Sequence, residues 1–179
     1  GSPVDSGSRH HPIMEAMTDS VGLSVGATNL AAVHVGRAAV TRPAVLARPA
    51  GPALTDFVDR VGDPVAMVAA DGSTHHAEVV LTSALRDLLG AVPRGRTIGV
   101  SHPANWRPQA VGALRNALTA TSELRAAALL SDDVAALTAL VDNPGLPARG
   151  VVVLCDFGGS GTTVSVADAG DGYRPIVPA

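Results

Sequence analysis

The chain contains no lysine, and all 13 of its basic residues are arginines. Its single cysteine, Cys155, excludes an internal disulfide and suits a reducing compartment. A net charge of −3 offers no basic surface for nucleic acid. No apolar run reaches the roughly 18 residues of a membrane helix. We therefore expect a cytoplasmic protein with neither a nucleic-acid partner nor a membrane segment.

Aromatic residues are also scarce, at 2% of the chain, although hydrophobic residues make up 46%. A chain of 179 residues can bury a substantial core, and here alanine, valine and leucine must fill it. Cys155 lies in an apolar run, so we expect a buried, unreactive thiol. Residues 1–19 are polar and aperiodic. They are interpreted as a tag or disordered lead-in, with Met17 as a candidate native start.

The most informative stretch is the glycine-rich segment VVVLCDFGGSGTTVSVADA, residues 151–169. An apolar run ends at Asp156 and is followed by the small residues 158–161. In the next run, 162–167, valine alternates with threonine and serine, which is typical of a β-strand. The segment therefore predicts a strand, a tight glycine turn and a second strand.

Glycines can adopt positive φ and bring consecutive backbone N–H groups close to a phosphate. A Walker A loop is excluded because it requires a lysine. A dinucleotide-binding fingerprint is excluded because it requires a helix after the glycines. A plain hairpin turn stays open as the alternative to a phosphate-binding loop.

A second segment of the same kind, VGLSVGATNLAAV, occupies residues 21–33. It again predicts an apolar strand, a short turn around Gly26, Thr28 and Asn29, and another apolar strand. The two units lie roughly 130 residues apart, as in an internal duplication.

These two segments resemble the two phosphate loops of the sugar-kinase, actin and DnaK-type heat-shock chaperone superfamily. TIGVSHPANW, residues 97–106, is similar to the strand and Pro-Ala segment of the heat-shock protein 70 branch. LSDDVAAL, residues 130–137, is similar to the start of a later helix in that branch. The ordered set covers most of residues 20–169 and is closest to divergent, chaperone-like actinobacterial members.

The resemblance implies an α/β fold: an actin-like ATPase (ribonuclease H-like) lobe with a mixed sheet, a β-hairpin meander and flanking helices. Residues 20–150 correspond to the first lobe, with a shortened insertion. Residues 151–179 correspond to the start of a second lobe, whose remainder is absent. In such proteins the nucleotide lies in a cleft between the two lobes.

The resemblance also assigns site residues. Asp132 is a catalytic candidate one methylene shorter than the family's glutamate, and Asp156 is a candidate metal ligand. The alternative for Asp132 and Asp133, which we prefer, is that they only favour the helix dipole. The residues expected to contact nucleotide are Gly26, Thr28, Asn29, Asp156, Gly158, Gly159, Ser160 and Gly161.

Several residues depart from the family pattern. Ser24 stands where the family has an aspartate that organises magnesium and its water. Ala27, Gly161 and Thr163 replace further polar or acidic positions, and the family's lysine near the transferred phosphate has no counterpart. Losing such a charge-stabilising group costs about 10²–10³ in rate. The resemblance therefore implies a pseudo-ATPase that hydrolyses ATP poorly or not at all.

Three functions follow from these residues. The first is a degenerate chaperone-like module that acts in binding or scaffolding. The second is the N-terminal part of an active ATP-dependent DnaK-type ATPase, and the third is an unrelated α/β interaction domain. We expect ATP or ADP with magnesium only where a second lobe is present, and no cofactor for this chain alone. The expected partner is an unidentified protein or a second copy, because the hairpin would expose sheet edges.

The remaining pattern predicts helices at 54–61, 108–119 and 132–141, and another helix that starts at Ser73 or Thr74 and ends at Gly90. Strands are predicted at 21–25, 30–35, 39–46, 65–69 and 97–101. The helix-terminating segment NPGLP, residues 143–147, separates the last helix from the glycine hairpin. Residues 173–179 are expected to trail off without regular structure.

Overall fold

The computed structural model describes residues 19–141, 147–159 and 161–177. The lead-in prediction for 1–19, Ser160 and most of the helix-terminating segment 143–147 therefore lie outside the described residues. In the part that is described, the chain is a mixed α/β protein with two main sheets and flanking helices. No described helix combines the length and the apolar character needed to cross a bilayer.

The larger sheet has five strands in the order β3-β2-β1-β6-β7. The first three strands form an antiparallel meander, and β6 and β7 continue from β1 in parallel. Its strands are β1 Ser20–Val25, β2 Asn29–His34, β3 Val40–Pro43, β6 Thr97–His102 and β7 Ala128–Ser131. Between β3 and β6 lie a small antiparallel pair, β4 Met67–Val68 and β5 Thr74–His75, and the helix α1 Ala77–Leu89.

Helix α2, Pro108–Ala120, connects β6 to β7 and begins with its proline in the first turn, where the missing N–H costs nothing. Helix α3, Asp132–Val141, follows β7 directly and contacts β6, β7 and the second sheet. That sheet has three antiparallel strands in the order β10-β9-β8. They are β8 Val151–Phe157, β9 Thr162–Asp168 and β10 Arg174–Val177.

The core lies between the five-stranded sheet and the helices α1 and α2. Alternate residues of β1 are buried, as a period of two requires, and leucines spaced three or four apart on α1 and α2 pack against them. Phe57 is fully buried, and the rest of the core is aliphatic. The buried residues from these elements are Val21, Leu23, Val25, Leu81, Leu85, Leu88, Leu114 and Leu118.

The prediction of a helix over 54–61 is wrong. Only Val58–Arg60 form a short 3-10 turn. Leu54 is extended and forms a bridge to Leu46, and Asp56 has a φ of +57°, so a helix is impossible there. The predicted apolar positions are nevertheless all buried, because the irregular segment packs onto the same core.

Three further predictions are corrected. Neither Ser73 nor Thr74 caps α1: Thr74 lies in β5, and His76 is the residue before the helix. Residues 173–177 do not simply trail off, because β10 pairs with β9; residues 178–179 lie outside the described residues. Cys155 is exposed and not buried, because it lies on β8, an edge strand of the second sheet.

Candidate functional site

Both glycine turns border one cleft of about 420 Å³ between the two sheets. The first turn, residues 26–28, joins β1 to β2, and the second, residues 158–161, joins β8 to β9. The N-terminal end of α3 closes the third side. Of the residues predicted to form the site, those lining the cleft are Gly26, Thr28, Asn29, Asp132, Asp156, Gly158 and Gly159.

The two turns come into contact at Gly159 and Thr28. A Cβ built on Gly159 would collide with Thr28 Oγ1 and would lie 3.0 Å from Thr28 Cγ2. An alanine at 159 would require the Thr28 side chain or one of the turns to move. The contact joins segments that are far apart in the sequence.

The glycines act through close approach and not through the positive φ that the sequence suggested. Gly26, Gly158 and Gly159 are not among the positive-φ glycines. A Cβ on Gly26 would lie 2.9 Å from the carbonyl oxygen of Asn29. The tightness of each turn therefore explains its glycine without reference to a ligand.

Backbone N–H groups at both turns are already engaged. Gly26 N donates to Asn29 O over 2.9 Å, and Gly158 N donates to Gly161 O over 2.8 Å. Ala44 N also donates to Thr28 O over 2.8 Å, which holds the first turn against the chain after β3. The amides of Gly26 and Gly158 therefore do not face a ligand as a phosphate nest would require.

Asp132 is half-buried at the junction of β7 and α3. Its Oδ1 accepts hydrogen bonds from Ala104 N over 2.9 Å and from Asp133 N over 2.8 Å. Burial raises the pKa of the Asp132 carboxyl, and the negative charges of Asp156 and Asp133 raise it further, against the opposing effect of the two hydrogen bonds. Asp132 thus has a structural role that neither prediction foresaw: it ties the loop after β6 to the start of α3.

The cleft is acidic. Asp132, Asp133 and Asp156 all line it, and among the described residues that line it there is no arginine. Asp133 is buried, and its Oδ1 accepts a hydrogen bond from Val134 N. An approaching phosphate would meet carboxylates that repel it, so any phosphate would need a cation between itself and the cleft.

The oxygen donors in the cleft fit magnesium only in part. Carboxylate, hydroxyl and amide oxygens are the ligands that magnesium prefers, and Asp156, Thr28 and Asn29 supply one of each. Over residues 19–141, 147–159 and 161–177, however, no three Asp, Glu, His or Cys residues are grouped to hold a metal ion. Asp132 Oδ1 is occupied by two N–H groups.

Not every predicted residue reaches the cleft. Gly161 does not line it, and Ser160 is outside the described residues. Ser24 and Thr163, which the resemblance marks only as departures, both line it, as does Asp133. The alternating pattern of β9 could have predicted that Thr163 lines the cleft, because Thr163 is directly opposite Asp156 on the neighbouring strand.

A second cavity, also of about 420 Å³, lies on the other side of the first turn. Ala27 of that turn lines it. It is bordered by the 3-10 turn and by Trp106, whose ring stacks on His102 with centroids 5.8 Å apart. Asp63 at its rim already accepts hydrogen bonds from Val65 N and Arg60. None of the predicted nucleotide-contacting residues lines this cavity.

Comparison with known proteins does not extend the assignment. No protein-family model matches the chain, and no curated protein is significantly similar to it. The chemistry of the cleft must therefore be argued from its geometry.

Proposed function

We propose that the chain is a degenerate, chaperone-like module that keeps a nucleotide-binding fold and serves in binding or scaffolding without hydrolysing ATP. The observation that carries the proposal is the meeting of two glycine hairpin turns, one from each sheet, on a cleft that also contains Asp132 and Asp156. This arrangement is what the resemblance to an actin-like ATPase lobe, followed by the start of a second lobe, leads one to expect.

The topology supports the fold part of the proposal. An antiparallel meander continued by two parallel strands agrees with the mixed sheet that the resemblance implies. The second hairpin sheet begins where the second lobe would begin, after α3. The convergence of both glycine turns on one cleft favours this fold over an unrelated α/β domain.

The chemistry of the cleft supports the loss of hydrolysis. The N–H groups of Gly26 and Gly158 are engaged within their own turns, and no basic side chain among the described residues lines the cleft. Ser24 contributes a hydroxyl where a carboxylate would help hold magnesium. Transferring a phosphoryl group relies almost entirely on such positioning and charge stabilisation, and these residues supply little of either.

Magnesium, if bound with a nucleotide, would neutralise phosphate charge at this site. Asp156 is the residue best placed to contact it, with Thr28 and Asn29 beside it. Phosphate oxygens would have to complete the coordination, because the chain provides too few carboxylates for a stand-alone site.

A second candidate function is an active ATPase. The raised pKa of Asp132, a carboxyl half-buried in the cleft beside Asp156, favours it. Carboxyls of this kind serve as general bases when their pKa is shifted toward the working pH. In this case Asp132 would accept a proton from an attacking water through the oxygen that is free of backbone N–H groups.

One experiment separates the two candidates: phosphate release from ATP, measured with and without magnesium, together with calorimetric titration of ADP. The proposal expects no magnesium-dependent turnover and weak or absent ADP binding. Turnover that is lost in Asp132→Asn, but kept in the exposed control Asp171→Asn, would overturn it in favour of the ATPase. Weak ADP binding that disappears in Asp156→Asn would identify the cleft as the remaining nucleotide site.

A further inference from the structure

The outermost strand of the second sheet, β8, has an exposed apolar face. Its alternate residues Val151, Val153, Cys155 and Phe157 are all exposed, with Val151, Val153 and Phe157 showing 62%, 57% and 80% of their surface. Val164 of β9, directly opposite Cys155, extends this face and is 52% exposed. Leu154 and Asp156, which alternate with these residues, line the cleft, and Cys155 also borders it.

The same four residues of β8 also carry its free backbone groups. Gly150 bonds to Ala169 at one end of the hairpin, and Gly158 bonds to Gly161 at the other. Because hydrogen-bonded and non-hydrogen-bonded pairs alternate along an antiparallel ladder, the even-numbered residues of β8 bond to β9. The N–H and C=O groups of the odd-numbered residues therefore point away from the sheet, along an edge that pairs with none of the described residues.

Apart from one inward-pointing charge, Asp156, the strand β8 carries none of the usual protection of an edge strand against pairing. Exposed edge strands are normally blocked by lysine, proline, a bulge or an inward-pointing charge. The strand Val151–Phe157 contains no lysine and no proline, and it pairs with β9 in unbroken register. Its one charged residue, Asp156, faces the cleft and leaves the exposed face uncharged.

We propose that β8 pairs antiparallel with β8 of a second copy of this chain, around a twofold axis at Leu154, to form a six-stranded sheet. Val153 then lies opposite the partner's Cys155, and Val151 lies opposite the partner's Phe157. All of these residues have free backbone groups on this edge, so every hydrogen bond of the new ladder finds its partner. The apolar faces of the two copies become one continuous surface.

The position of Asp156 favours this register of the pairing over one centred on Asp156. With the axis at Leu154, each Asp156 is opposite the partner's Val152, and the two carboxylates are four residues out of step. At about 3.4 Å per residue they are roughly 14 Å apart, beyond the screening length at physiological salt. An axis at Asp156 would place the carboxylates directly opposite each other, which is destabilising. An axis at Leu154 is also the one that pairs all seven residues of β8.

The first test is the solution mass of the chain, by sedimentation equilibrium from micromolar to millimolar concentration. The proposal expects the wild type to approach twice 17.9 kDa. Val153→Lys, which places a charge on the edge, should return it to the monomer mass. The matched control is Val79→Lys on α1. Val79 is 57% exposed, as Val153 is, but it belongs to a different element, far from β8 in the sequence. The Val79→Lys protein should stay dimeric.

The second test uses cross-linking under mild oxidation and reports the register. Residues directly opposite in a hydrogen-bonded pair have Cα atoms about 5.5 Å apart, within disulfide range, whereas diagonal neighbours are about 7–8 Å apart. Val153→Cys should therefore give a covalent dimer through the partner's Cys155 much faster than the wild type does, and Cys155→Ser in the same background should abolish this gain.

Three results would overturn the proposal. A wild type that stays monomeric at every concentration removes the dimer, and a different polypeptide or chain segment would then have to pair with this edge. A dimer that survives Val153→Lys unchanged places its interface elsewhere. Cross-linking of the wild type as fast as that of Val153→Cys moves the axis to Cys155 and refutes the register.

Discussion

The contact between the two glycine turns can be tested with one methyl group. Gly159→Ala places a Cβ against Thr28 Oγ1 and 3.0 Å from Thr28 Cγ2. Neither turn can withdraw freely, because Thr28 O accepts a bond from Ala44 N, and Gly158 N is bonded across the second turn. The substitution must therefore strain a turn or widen the cleft.

The expected loss of stability is at the lower end of the cost of overpacking, about 1–2 kcal/mol, because Thr28 and Gly159 are both exposed. For a chain of this size each kcal/mol lowers the melting temperature by roughly 2–4 °C. We expect Gly159→Ala to lower it by about 2–8 °C. Gly161→Ala is the matched control within the same turn, since no atom lies within 4 Å of its Cβ, and it should be close to neutral.

Thermal unfolding, followed by circular dichroism, tests the contact in a double-mutant cycle of Gly159→Ala and Thr28→Ala. Thr28→Ala removes the two closest atoms and leaves only the Cβ at 3.3 Å, so it should recover most of the loss caused by Gly159→Ala. A coupling energy of about 1–2 kcal/mol is expected between the two sites. If Gly159→Ala and Gly161→Ala behave alike, or if Thr28→Ala gives no rescue, the two turns do not touch in solution.

Three further predictions concern single residues. Asp132→Ala should lower stability by about 2 kcal/mol, because it removes a charged acceptor of two backbone hydrogen bonds, whereas Asp132→Asn should keep them. Since the folded state raises the pKa of Asp132, its contribution to stability is present below pH 3.8 and is lost as pH rises above 3.8, so the stability of the wild type relative to Asp132→Asn should fall over that range; denaturant titrations of both proteins across pH 3–6 measure this difference. Arg48→Ala should cost about 1–2 kcal/mol, because its guanidinium bonds to Asp71, Ser73 Oγ and Pro52 O; Arg42→Ala, on the exposed part of β3, is the control in the same melts. Gly62→Ala should cost more than about 2 kcal/mol, because its φ is +81° and the added Cβ would lie 2.8 Å from the Cα of Ala110; Gly112→Ala, with open space around it, should not.

Local patterns were enough to predict most of the elements. The alternating residues of β1, β8 and β9 indicated strands, and the leucines of α1 and α2 indicated helices that end near Gly90 and begin at Pro108. Each of these signals lies within one element, and burial of its apolar residues stabilises the structure that the period predicts.

The failures arose where distant contacts override local pattern. The apolar spacing over 54–61 is helical, yet the bridge from Leu54 to Leu46 holds that segment extended. β7 was missed because its four residues, ALLS, are too short to show a period. The exposure of Cys155 depends on which face of β8 is covered, and no residue within the strand specifies that.

The sequence indicated most of the residues that line the cleft, but not how they contact one another. The glycine turns and both aspartates were identified from sequence, but the contact of Gly159 with Thr28 and the bond from Ala104 N to Asp132 join residues far apart in the chain. The internal hydrogen bonds of Gly26 and Gly158 were likewise invisible, because a glycine-rich sequence allows both an open nest and a closed turn.

The stacking of Trp106 on His102 makes the protein's fluorescence a single-site signal. Trp106 is the chain's one tryptophan, and its ring lies 11° from parallel with the imidazole. It stands in the same loop whose Ala104 N is held by Asp132. Emission from this protein therefore reports the loop between β6 and α2, whereas circular dichroism reports the whole fold. A ligand or substitution that loosens Asp132 would change the first signal and leave the second unaltered.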